Sequence, residues 1–121
     1  MSKSKKSWID VPDLPVDAGR IVFSGVAAGA EPFVVNALAS KAVASGGPVI
    51  YVARDGSGLG DWAQVFSFVA PDIEIVDFPA WDCLPYDRVS PGSDVSARRL
   101  AAMTRLAELR NKPAPAVILT T

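Results

Sequence analysis

Apolar and polar positions along the chain repeat with two periods. Residues 21–25 (Ile-Val-Phe-Ser-Gly), 49–53 (Val-Ile-Tyr-Val-Ala) and 116–120 (Ala-Val-Ile-Leu-Thr) are short apolar runs rich in β-branched residues. Such runs suit strands buried on both faces of a parallel sheet. Over residues 73–78, Ile73, Ile75 and Phe78 are interleaved with acids, which predicts a strand nearer the sheet edge. Between these runs the spacing is helical. It is carried by Phe33, Val34, Leu38, Ala42 and Val43 over residues 31–45, and by Trp62, Val65, Phe66 and Val69 over residues 61–69. Over residues 94–111 it predicts Val95, Leu100, Met103, Leu106 and Ala107 facing inward.

Turn residues punctuate the pattern. Pro32 fits a first helical turn, where its missing N–H costs nothing. Ser45-Gly46-Gly47-Pro48 stops the first helix, Pro71 follows the second, and Ser93 or Asp94 caps the third, which ends at Lys112-Pro113. Residues 54–60 read as a glycine-rich loop and residues 79–92 as a long one. The order β-α-β-α-β-α-β predicts an α/β fold: a parallel β-sheet with right-handed crossovers and flanking helices. Residues 1–19, polar and carrying Pro12 and Pro15, predict a flexible lead-in, and residues 20–121 the α/β domain. A central-strand run so near the last residue predicts that this domain is incomplete and continues in a longer protein.

Composition narrows the class. Half of the 121 residues are hydrophobic and 21% are charged, a globular profile with room for one core. A net charge of -1 argues against a module that binds nucleic acid through a broad basic surface. Cys83 is the single cysteine and there is no histidine. An internal disulfide is therefore impossible, a zinc site is disfavoured, and a reducing cytoplasm is the natural setting. The basic start, with Lys3, Lys5 and Lys6, is followed by no apolar stretch of signal-peptide length. No apolar run approaches the roughly 20 residues that cross a bilayer.

In an open α/β fold the first strand-to-helix turn faces phosphates with backbone N–H groups. A working phosphate loop reads G-x-x-x-x-G-K-[ST], with lysine on the outer phosphates and the hydroxyl on magnesium. The corresponding turn here is Gly25-Val26-Ala27-Ala28-Gly29-Ala30-Glu31-Pro32. Ala30 replaces the second glycine, Glu31 stands at the lysine position and Pro32 at the hydroxyl position. The glutamate turns attraction into repulsion, and the proline removes a hydroxyl and an N–H donor. Read by itself, the turn also fits an ordinary glycine turn with no history of nucleotide binding.

The most specific stretch is residues 78–91, Phe-Pro-Ala-Trp-Asp-Cys-Leu-Pro-Tyr-Asp-Arg-Val-Ser-Pro. Prolines fix its backbone, while Trp81 and Tyr86 offer flat surfaces with a polar tip. Such a loop can roof the core with Trp81, Leu84 and Tyr86, with Asp82, Asp87 and Arg88 making loop-fixing hydrogen bonds; for an isolated domain this is the favoured reading. It can also stack a base or a partner side chain. Asp82 and Asp87 have no support as a catalytic pair beyond proximity. Cys83 lacks a histidine to activate it and reads as packing. Arg98 and Arg99 read as a solvated helix face, with a phosphate or a partner acid as the alternative.

The pattern W-[DE]-x-L-P-Y-D-x-x-S-P, carried by Trp81, Asp82, Leu84, Pro85, Tyr86, Asp87, Ser90 and Pro91 and followed by Arg98, Arg99 and Leu100, resembles the N-terminal module of bacterial transcription-repair coupling factors. Residues 49–55 and 68–72 fit the same family, and the likeness extends over residues 21–121. That module is itself similar to the excision-repair protein UvrB, where the first turn is an intact phosphate loop. The resemblance implies a helicase-type, UvrB-like fold with a degenerate ATP site at Gly25, Gly29, Ala30, Glu31 and Pro32. It also implies a parent that uses ATP and magnesium to translocate on DNA, displaces stalled RNA polymerase and recruits UvrA. The segment itself then has no cofactor, metal or catalytic residue, and serves as a scaffold and regulatory piece that contacts the remainder of the parent chain. Two alternatives remain: a genuine nucleotide-binding helicase domain with an unconventional turn, and a DNA-contacting module using Trp81, Tyr86, Arg88, Arg98 and Arg99.

Overall fold

In the computed structural model, residues 19–42, 47–84, 86 and 88–121 are described. Three helices, α1 (Glu31–Ala42), α2 (Leu59–Val69) and α3 (Ser93–Asn111), alternate with three strands, β1 (Val49–Val52), β2 (Glu74–Asp77) and β3 (Ala116–Thr120). The strands form one parallel sheet in the order β1-β3-β2. This is the α/β class that the alternation predicts. It also places residues 116–120 at the centre and residues 74–77 at an edge, where apolar content and interleaved acids put them.

β3 is buried on both faces because helices cover both. Val117 and Leu119 pack with Val35 and Ala39 of α1 and Trp62 and Phe66 of α2. Ala116 and Ile118 point the other way, to Ala102 and Leu109 of α3 and Val76 of β2. The chain steps from β1 across β3 to β2 and then back to β3. With right-handed crossovers that reversal sends α2 and α3 to opposite faces. On the first face the Trp62 ring lies between Tyr51 and Phe66, with centroids 4.5 and 4.9 Å away. The buried Trp62 Nε1–H finds no acceptor.

Several expectations are corrected. Residues 21–25 form no strand: Ile21, Val22 and Phe23 are exposed, and among the described residues no neighbouring strand offers them a ladder. The buried face of α1 is Pro32, Val35 and Ala39, with Phe33, Val34 and Leu38 on its flanks. α1 is described to Ala42; of the predicted stop, Ser45-Gly46-Gly47-Pro48, the first two residues lie outside the described residues, as do residues 1–18, while Gly47 and Pro48 are not helical. α2 starts earlier than expected, at Leu59, after Gly58 turns left-handed at φ 76°. The glycine-rich loop therefore ends at Gly58, and Gly60 is helical. Ser93 and Asp94 are the first two helical residues of α3 and not its cap, which is Gly92.

The helix α3 is also rotated from its predicted orientation. Leu100 and Met103 are exposed, and the small Ala102 and the later Leu109 face the sheet. Ion pairs to β2 accompany this rotation. Arg105 Nε and Nη2 both donate to Glu74 at 2.8 Å, and Arg98 Nε donates to Asp77 at 3.1 Å. The Arg105 guanidinium holds the Glu74 carboxyl below its ordinary value, and partial burial opposes this. A lowered carboxyl stabilises the fold above the usual glutamate value of about 4.3, and that contribution is lost as pH falls through the lower folded value. The urea midpoint is therefore expected to drop as pH falls below about 4.3, and Glu74→Gln to flatten part of that drop. Both partners are more than a third exposed, so the effect is small.

Candidate functional site

The turn before α1 has the shape of an anion site and little of its chemistry. Gly25 and Gly29 have positive φ, 74° and 84°, a backbone that glycine adopts without strain. Ala30 N–H closes the turn on Ala27 O at 2.9 Å, and Glu31 opens the helix. At a helix N-terminus the first amides are what greet an anion. Here Pro32 has none, and the Phe33 N–H is turned back to Ala30 O at 3.1 Å. Pro32 is buried, so the position is filled by packing.

Beside the turn is a cleft of about 250 Å³, walled by Glu31, Pro32, Tyr51, Ser57, Asp61 and Trp62 among others. That is below the roughly 300–1,000 Å³ usual for ligand pockets. Two carboxylates line it, and no lysine or arginine does. The field of Glu31 is felt across it: the Tyr51 hydroxyl is pushed above its ordinary pKa, first by burial and then by the Glu31 charge. Among the described residues the charged groups at this cleft are acidic.

A larger cleft, about 570 Å³, opens at the carboxyl ends of β2 and β3, the usual crevice of an open α/β sheet. Gly56 and Gly60, Asp77, Arg98, Thr120 and Thr121 contribute to its wall. Its arginine is engaged: besides Asp77, Arg98 meets Asp94 one helical turn back at 3.5 Å. Both acids raise its pKa, Asp77 first.

The loop after β2 departs from the roof expected of it. Tyr86 is 98% exposed and Leu84 73%, and Trp81 is half exposed. Arg88, Val89 and Ser90 are exposed as well, Pro91 and Cys83 half-buried, and Pro85 and Asp87 lie outside the described residues. The loop is instead clamped at its two ends. At the start, the Arg99 guanidinium lies between the rings of Phe78 and Trp81, 4.2 and 4.3 Å from their centroids, and donates to Pro79 O. At the finish, the Asp82 carboxylate accepts the Gly92 N–H at 3.0 and 3.2 Å. A Cβ on Gly92 would sit 2.6 Å from Asp82 Oδ2, so any other residue displaces the carboxylate. With both ends held, the apolar tips of Leu84, Tyr86 and Val89 face solvent.

Of the residues singled out in the sequence, Asp82 does fix the loop, while Arg98 and Arg99 are engaged and not merely solvated. Asp77 and Gly92 were not singled out, and Phe78 and Pro79 only as part of the predicted strand and the signature stretch. The one readable signal was the four-residue spacing of Asp94 and Arg98, a helical ion pair. The other contacts join residues that only tertiary packing brings together.

No helix among the described residues is long and apolar enough to cross a membrane, and no three of their acids and cysteines gather to hold a metal ion. No protein-family profile and no solved structure matches the chain. Two curated proteins do: the transcription-repair-coupling factors of Mycobacterium bovis and Mycobacterium tuberculosis, each 36% identical over 76 residues, 63% of this chain. The match spans 6% of the length of those relatives. Over that stretch the chain is related to a small segment of the transcription-repair-coupling factors.

Proposed function

We propose that the chain acts as a non-catalytic scaffold and regulatory segment of a transcription-repair coupling factor, built on a nucleotide-site fold that has lost its phosphate chemistry. The parent activities are ATP-driven movement on DNA, displacement of stalled RNA polymerase and recruitment of UvrA, in a cytoplasmic setting. They belong to the far longer remainder of such a protein. The observation that carries this reading is the Glu31-Pro32 pair at the start of α1, where an anion site needs a cation and a free amide. The clamped loop of residues 78–92 supports a role by contact, since it holds apolar tips where the rest of a parent chain can meet them.

Titration with labelled ATP and magnesium tests the reading. No saturation is expected up to millimolar nucleotide, and saturable micromolar binding overturns it. A second reading, contact with single-stranded DNA, has the exposed Tyr86 and Arg88 in its favour, because bases stack on open rings beside cations. The engagement of Arg98 and Arg99 and the net charge of -1 count against it. If DNA contact is real, Tyr86→Ala weakens binding by roughly tenfold, as expected for one base stack. An intact chain with no detectable affinity removes that reading.

A further inference from the structure

We draw no further inference here: the strongest candidate, the uncovered face of β1 at Ile50 and Val52 beside the strand's outer edge, is an unpartnered apolar surface, and nothing in the structure shows what covers it.

Discussion

Phe66→Ala is expected to unfold this chain or bring it to the margin of stability. Phe66 is fully buried and stacks on Trp62 at an interplanar angle of 8°. It belongs to the cluster in which α1 and α2 meet Val117 and Leu119 of the central strand. Truncating such a ring removes its transfer free energy and leaves a cavity, at about 3–5 kcal/mol. A domain of this size has about 5–15 kcal/mol in total, and one with an uncovered strand face sits toward the low end. Urea denaturation followed by circular dichroism should show the midpoint collapse. A midpoint within experimental error of the parent would mean that α2 is not docked as described.

Arg99→Ala should free the 78–92 loop while leaving the sheet intact. Each ring contact is worth about 0.5–1 kcal/mol, and a charged donor to a carbonyl about 1.5–3 kcal/mol. Together they hold the loop by about 2.5–5 kcal/mol. When cleavage follows the population of the open form, a loss of that size raises proteolysis more than tenfold. Limited trypsin digestion reads it directly. Cutting after Arg88 should accelerate, and cutting after Arg54, in the separate loop between β1 and α2, should not. Arg99→Lys keeps the charge, but a compact ammonium cannot lie flat between two rings, so it should behave much like the alanine variant. Equal rates at Arg88 in all three proteins would show that the stack does not hold the loop.

The same stack bears on how the loop works. A roofing loop would bury Trp81, Leu84 and Tyr86 in the core and have little left to offer. A loop clamped by Arg99 at one end and by Asp82 on Gly92 at the other keeps a defined outline and its apolar tips in solvent. The turn before α1 is the opposite case. Its glycines turn with positive φ, while Pro32 is absorbed into packing and Glu31 sets a negative field over Tyr51.

What sequence alone determined follows from local rules. Composition marked residues 116–120 as central, because a strand between two helical layers can carry no polar side chain on either face. Interleaved acids marked residues 73–78 as an edge. Glycine and proline bounded α2 and α3 to within about two residues, since their backbone limits act locally. The Glu31-Pro32 substitution and the loop signature were equally plain, being statements about residue type at a spacing. Tertiary structure decided the rest. Residues 21–25 have strand composition, but a strand exists only with a neighbour to complete its hydrogen bonds, and among the described residues none is beside them. α3 turned Leu100 and Met103 outward, with Ala102 and Leu109 packed toward the sheet beside β2 and Arg98 and Arg105 reaching Asp77 and Glu74. Trp81 went to Arg99 and not to the core because Phe78 and Pro79 had prepared the other side of that guanidinium. The last two choices depend on groups 18 to 31 residues apart, whose meeting no local pattern records.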